Sequence, residues 1–179
     1  LASLDSRLGD IERVVLTACG SSLHAAMVGQ RYIETISGVR AEVELASELR
    51  YRDVRLGPET LVVSVTQSGE TVDTLAAMDL AQQQKAVQIT LTNTIESQSA
   101  RIADGIIDLR AGLEIGVAST KTFVSSLVSL YLFAIHLGRI KGNLTKIQIN
   151  TLTQDLGRLP HLVSSIQEHA REYEELARY

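Results

Sequence analysis

Thr66-Gln67-Ser68-Gly69-Glu70-Thr71 packs three hydroxyls and a carboxamide around one glycine. Groups of that kind at that density can hold an oxyanion. Leu61-Val62-Val63-Ser64-Val65 just before it is a β-branched run and reads as a buried strand. Thr71 to Met78 after it reads as the start of a helix. The six residues therefore form a strand-to-helix turn. At a helix N-terminus the backbone N–H groups lack intrahelical partners and favour an anion. Gly69 lets the backbone adopt a conformation that a side chain hinders. The turn has no Lys or Arg and carries Glu70, which weakens a nucleotide reading. A sugar monophosphate, held by hydroxyls and amides, needs less positive charge. An ordinary capped helix is the alternative. Thr71 or Ser68 suits its N-cap and Asp73 its first turn.

The elements around this turn repeat its design. Val14 to Ala18 reads as a buried strand that runs into Cys19-Gly20-Ser21-Ser22, with a helix from about Leu23 to Ile36. Ser37-Gly38 ends that helix. Ala41–Leu45 reads as a strand and Ala46–Tyr51 as a short helix. Gly57-Pro58 marks a turn before the strand Leu61–Val65. The helix from Thr71 reaches about Gln84. Ala86–Leu91 is a fourth strand, broken by Thr92-Asn93-Thr94. A short helix over Ser97–Ala103 and a fifth strand over Gly105–Leu109 follow. The loop Gly112 to Lys121 closes on a helix with Ser119 as the expected N-cap, running to about Ile140. That helix is apolar nearly all round, which predicts burial on several sides. A last helical pattern covers Thr145–Ser165, with Pro160 placed to kink or split it. Glu168–Tyr179 is charged and helical in character.

Alternating strands and helices joined by short loops predict a parallel sheet covered on both faces. Ligands bind such sheets beyond the carboxyl ends of the strands, where strand order switches. Loops Cys19–Ser22, Thr66–Thr71 and Gly112–Ser119 would all converge on that edge. Convergence favours the ligand reading of Ser68 over the capping one.

Composition narrows the functions. The chain has 179 residues and a net charge of −4, with no basic cluster to meet nucleic acid. Cys19 is the only cysteine, so no intrachain disulfide forms. A reducing compartment fits this. The apolar stretch Phe123–Leu137 is interrupted by Ser125, Ser126, Ser129 and His136, and is shorter than the roughly 20 residues of a membrane span. It reads as a buried or interface helix. Neither a dinucleotide nor a P-loop fingerprint is present, and no Gly-x-Ser-x-Gly elbow. His24, His136, His161 and His169 are scattered, without metal-ligand spacing. The chain opens on Leu1 with no signal peptide and reads as a piece of a longer protein.

Four segments carry a family resemblance: Ala18-Cys19-Gly20-Ser21-Ser22, Ala46-Ser47-Glu48-Leu49-Arg50-Tyr51, Gln67-Ser68-Gly69-Glu70-Thr71, and Glu114-Ile115-Gly116-Val117-Ala118-Ser119-Thr120-Lys121. They resemble the SIS (sugar isomerase) domain. More narrowly, they resemble the first SIS module in the isomerase half of the glucosamine-6-phosphate synthases, the isomerizing glutamine–fructose-6-phosphate aminotransferases. The resemblance implies an α/β fold, a three-layer α/β/α sandwich on a five-stranded parallel, flavodoxin-like sheet. It implies a single domain over 1–179, with its core at about 14–140 and a C-terminal helical segment at 145–179. It implies a site for fructose 6-phosphate or glucosamine 6-phosphate. Carried over by motif, the phosphate falls to Ser22, Thr66, Gln67, Ser68 and Thr71. Ser21 contacts the sugar, and the Val117 carbonyl and Ser119 face its hydroxyls. Thr66 stands where serine is common; either hydroxyl can donate.

The family's reaction adds ammonia, released from glutamine by a separate domain, to fructose 6-phosphate. It then moves a proton between neighbouring carbons. A carboxylate base, an amine and an imidazole are needed. In the family these lie in the second SIS module and the C-terminal tail, and neither has a match here. The chain is thus expected to bind the sugar phosphate and to be inactive alone. No cofactor or metal is implied. The implied partners are a glutaminase domain, a second SIS module and a second copy in a homodimer, with no nucleic acid or membrane, in the cytoplasm. A related SIS sugar-phosphate deaminase or deglycase, and a non-catalytic sugar-phosphate sensor, are the alternatives.

Overall fold

Five strands form one sheet: β1 (Arg13–Ala18), β2 (Arg40–Leu45), β3 (Thr60–Val65), β4 (Val87–Thr92) and β5 (Gly105–Asp108). Their order is β2-β1-β3-β4-β5, and every pair is parallel. This is the flavodoxin-like order, with its switch point between β1 and β3. The computed structural model describes residues 1–116 and 118–178. They fall into two compact units, Leu1–Leu144 and a second from Thr145 onward.

The strands explain the layers. Val14, Leu16 and Ala18 of β1, Leu61, Val63 and Val65 of β3, and Val87, Ile89 and Leu91 of β4 share one buried cluster. It also holds Ala26 and Ile33 from the helical segment after β1 and Leu130, Phe133 and Leu137 from the last long helix. The intervening residues face the other way: Val15 and Val62 lie in a second cluster with Leu56 and Ala81. The alternation is the period of a pleated strand, read here with both faces covered. One face carries α1 (Asp5–Gly9), α2 (Gly20–Tyr32) and α6 (Lys121–Ile140); the other carries α3 (Ala46–Leu49), α4 (Val72–Gln83) and α5 (Gln98–Ile102). The sandwich expected from the sequence is the one observed.

Local chemistry sets the element ends. A π-helical turn, Ile33–Ser37, extends α2, and the chain leaves it through Gly38 at φ 71°. The edge strand β2 is guarded by charge. Arg40 pairs with Glu42 at 2.9 Å and Arg52 with Glu44, which discourages pairing with a second chain. Where α2 and α6 meet, a Cβ on Gly29 would lie 2.7 Å from Leu130 Cδ1. Tyr32 and Tyr131 meet edge to face nearby, with ring centroids 5.3 Å apart. By length and composition the 20-residue α6 could cross a membrane, with mean hydropathy 1.6 over an 18-residue window. Its buried residues, Leu130, Phe133, Ala134 and Leu137 among them, instead belong to the core. Val124 and Leu132 stay exposed.

The second unit holds α7 (Lys146–Gly157), α8 (Leu159–Gln167) and α9 (Ala170–Leu176). The pattern read as one helix over Thr145–Ser165 is two. Pro160 sits in the first turn of α8, where its missing N–H leaves no helical bond unmade. Thr145 and Gln148 form a reciprocal capping box on α7.

Candidate functional site

The switch point brings two strand-to-helix turns side by side. After β1, Cys19 stays extended and Gly20 opens α2 at φ 57°. The helix thus starts at Gly20 instead of about Leu23, because the glycine turns the chain sharply off the strand. Ser21 and Ser22 ride on its first turn, half-buried.

After β3, Thr66 prolongs the ladder, its N–H donating to the Leu91 carbonyl at 3.0 Å. Its buried hydroxyl accepts from the Gly69 N–H at 3.1 Å. Ser68 is half-buried, and its Oγ accepts from the Glu70 N–H at 3.2 Å. Thr71 occupies the N-cap position of α4, but no side chain makes the cap hydrogen bond. The helix expected from Thr71 begins at Val72. Neither hydroxyl is therefore consumed in capping, which removes the main support for the capped-helix reading.

The conformation of this turn is fixed from below. Gly69 is at φ 71°, and a Cβ there would lie 2.0 Å from Ser97 Oγ and 2.7 Å from Ser99 Oγ. Ser97 and Ser99 are buried, with their hydroxyls 3.2 Å apart. Three bonds staple the turn to the segment after β4. Asn93 N–H donates to the Gln67 carbonyl (3.0 Å), Ser99 N–H to the Gly69 carbonyl (3.0 Å), and Gln98 N–H to the Glu70 carboxylate (2.8 Å).

The third loop is held at both ends. At its start, the Asn93 carboxamide donates to the Gly112 carbonyl at 2.7 Å and accepts from the Ala111 N–H at 2.9 Å. At its end, Glu114 folds over the first turn of α6. Its carboxylate accepts from the N–H groups of Thr120 (3.3 Å), Lys121 (3.2 Å) and Thr122 (2.9 Å), and from the Thr120 and Thr122 hydroxyls. These are the unpartnered donors of a helix start, where an anion is favoured. The Thr122 hydroxyl, then the Thr122 N–H, hold the Glu114 carboxyl down at about 2 from an ordinary 4.5; Thr120 and Lys121 add to this and burial opposes it. Ser119 was expected to cap this helix. The N-cap is Thr120, and the capping oxygens come from Glu114. The Ser119 hydroxyl is engaged with Glu114 (3.4 Å) and with Thr122. Val117 lies outside the described residues.

The switch-point turns thus place Ser21 and Ser22 on one side and Thr66, Gln67, Ser68 and Thr71 on the other. Ser119 belongs to the β5–α6 loop, joined to the β3 turn through Asn93. An open depression of about 540 Å³ on that side is lined by Arg110, Ala111, Thr120, Lys121, Val124 and Ser125. Another, of about 380 Å³, lies at the opposite end of the sheet, at Arg7, Asp10, Pro58, Glu59 and Val87. Neither is lined by residues of the two switch-point turns. In the sequence Asn93 reads only as a strand breaker. Its one local sign is a carboxamide just past the carboxyl end of a central strand.

A family profile described as SIS domain matches residues 8–136. The chain is 42% identical over 170 residues to the isomerizing glutamine–fructose-6-phosphate aminotransferase of Gloeobacter violaceus, covering 94% of this chain and 28% of that protein. It superposes on the C-terminal domain of glucosamine-fructose-6-phosphate aminotransferase from Francisella tularensis with a TM-score of 0.95 and 35% identity, over 100% of this chain and 51% of that one. It also superposes on glucosamine-6-phosphate deaminase from Thermotoga maritima with a TM-score of 0.65 and 25% identity, over 85% of this chain and 47% of that one. The chain thus spans little more than a quarter of the curated aminotransferase it matches. Profile, strand order and switch-point turns agree on one conclusion: the chain belongs to the SIS domain family.

Proposed function

We propose that this chain is the sugar-phosphate-binding SIS module of an isomerizing glutamine–fructose-6-phosphate aminotransferase, an enzyme that makes glucosamine 6-phosphate. The observation that carries the reading is the Thr66–Thr71 turn. It sits at the switch point with its hydroxyls unused by the helix cap and its backbone locked at Gly69. The phosphate of fructose 6-phosphate or glucosamine 6-phosphate rests on the N–H groups at the start of α4 and on Thr66, Gln67, Ser68, Thr71 and Ser22. Ser21, Ser119 and the Val117 carbonyl serve the sugar. In structural superposition, identity of 35% to the aminotransferase domain against 25% to the deaminase favours the first class. The base, amine and imidazole of the reaction, and the ammonia supply, come from parts of the full protein beyond this module. The chain alone binds without turning over, and its setting is the cytoplasm.

Replacing Ser68 by alanine is expected to weaken fructose 6-phosphate binding by roughly 1–3 kcal/mol, the range for a hydrogen bond to a charged group. Titration calorimetry on the two chains decides it; equal affinities would remove the phosphate from this turn.

The module also self-associates in this reading. Val124 and Leu132 are exposed on α6, and Met27 on α2, the helix packed beside it. Apolar surface of this kind seeks cover, and a two-fold dimer is the commonest arrangement for identical chains. Sedimentation equilibrium over a wide concentration range is expected to show a dimer; one species at monomer mass throughout would reject it.

A further inference from the structure

We propose that Asn93 is the positioning residue that sets the β5–α6 loop against the phosphate turn, and so places the sugar side of the site relative to the phosphate side. The proposal rests on the sugar-phosphate reading above. Three bonds from one residue carry it. The Asn93 N–H holds the Gln67 carbonyl of the phosphate turn at 3.0 Å. The Asn93 carboxamide donates to the Gly112 carbonyl at 2.7 Å and accepts from the Ala111 N–H at 2.9 Å. One half-buried residue therefore touches both loops, and it does so with main chain on one side and side chain on the other.

The loop needs such a hold. Ala111 sits between two left-handed residues, Arg110 at φ 51° and Gly112 at φ 69°. A left-handed conformation is unfavourable for an arginine and persists only when its surroundings impose it. The Arg110 N–H is taken by the Asp108 carboxylate at 3.0 Å, and the Ala111 N–H and the Gly112 carbonyl are taken by Asn93. The pair demands a donor and an acceptor in one planar group, which a carboxamide has and a carboxylate lacks. Beyond Gly112 the chain reaches Glu114, which binds the first turn of α6. Phosphate turn, Asn93, loop and α6 start are thus joined by hydrogen bonds at Asn93 and at Glu114, with the chain from Gly112 to Glu114 between them. A phosphate alone needs only the first of these parts, whereas a hexose 6-phosphate needs the loop beyond them as well.

The test is titration calorimetry of the whole 179-residue chain with inorganic phosphate and with fructose 6-phosphate, for wild type, Asn93→Ala and Asn93→Leu. Leucine keeps the volume and removes both side-chain bonds. Both variants are expected to bind fructose 6-phosphate about tenfold more weakly, the value of two ordinary hydrogen bonds. Their affinity for inorganic phosphate is expected to stay within about twofold. Equal losses for both ligands would make Asn93 a support of the phosphate turn alone and overturn the proposal; so would no loss for either. A wild-type chain that binds neither ligand overturns the proposed function, and the sugar-side role falls with it. Hydrogen exchange on wild type needs no variant. The Ala111 amide is expected to exchange as slowly as the Asn93 amide, and exchange at the rate of an open loop would also overturn the assignment.

Discussion

Gly69→Ala is expected to destabilise the chain and abolish measurable sugar-phosphate binding. Two costs add. Alanine at φ 71° is in a region that costs about 1–3 kcal/mol for a residue with a Cβ. The new methyl group also meets Ser97 Oγ at 2.0 Å, Ser97 Cβ at 2.4 Å and Ser99 Oγ at 2.7 Å, too close for any adjustment of a flexible side-chain tip. Ser97 and Ser99 are buried and belong to the start of α5, so relief means moving backbone, an overpacking cost of about 1–3 kcal/mol more. The same movement breaks the Ser99 N–H bond to the Gly69 carbonyl and splays the turn. Denaturant unfolding of the two chains measures the first effect and titration with fructose 6-phosphate the second. A loss of stability below about 0.5 kcal/mol, the size of an ordinary surface change, would mean the turn is not locked as described.

Glu114→Gln is expected to remove a large part of the acid sensitivity of the chain. The Glu114 carboxyl is held at about 2 in the folded protein against an ordinary 4.5. A depressed folded value means that folding favours the ionised form. Its contribution is fully present above about pH 4.5, declines as pH falls, and is gone below about pH 2. In glutamine, one of the two carboxylate oxygens becomes an NH₂ facing hydroxyl and amide donors. The variant is therefore less stable at neutral pH, and the gap to wild type narrows steadily between pH 4.5 and 2. Amides of Thr120, Lys121 and Thr122 are expected to exchange faster in the variant at neutral pH. Denaturation series across that pH range check the narrowing; a gap that stays constant down to pH 2.5 would show that another group anchors the helix.

Much of the scaffold could be read from local pattern. The β-branched runs at Val14–Ala18 and Leu61–Val65 fall within a residue of β1 and β3, because buried parallel strands are short apolar runs bounded by small polar residues. The parallel sheet followed from the alternation of strand and helix, and its flavodoxin-like arrangement from the family resemblance alone. What escaped was whatever depends on side chains reaching across the fold. Ser119 looks like an N-cap in sequence, yet a carboxylate upstream at Glu114 does the capping. Gly69 was legible as a permissive residue, but its steric partners Ser97 and Ser99 lie on another element. Asn93 bonds residues 18 and 19 positions away, beyond any local window. Pro160 was legible as a residue that kinks or splits the last helix, and the split into α7 and α8 is the outcome.

The position of β1 has a consequence for synthesis. It precedes β2 and β3 in the chain, yet it is paired on both edges, to β2 and to β3. The pairing of Arg13 with Thr60 cannot form until Thr60 has followed it out of the ribosome. Until then Val14, Val15 and Leu16 belong to a strand with an open edge. The strand pair that frames the proposed phosphate site is therefore also a gate in biogenesis, since neither of its two turns has its neighbour before β3 arrives.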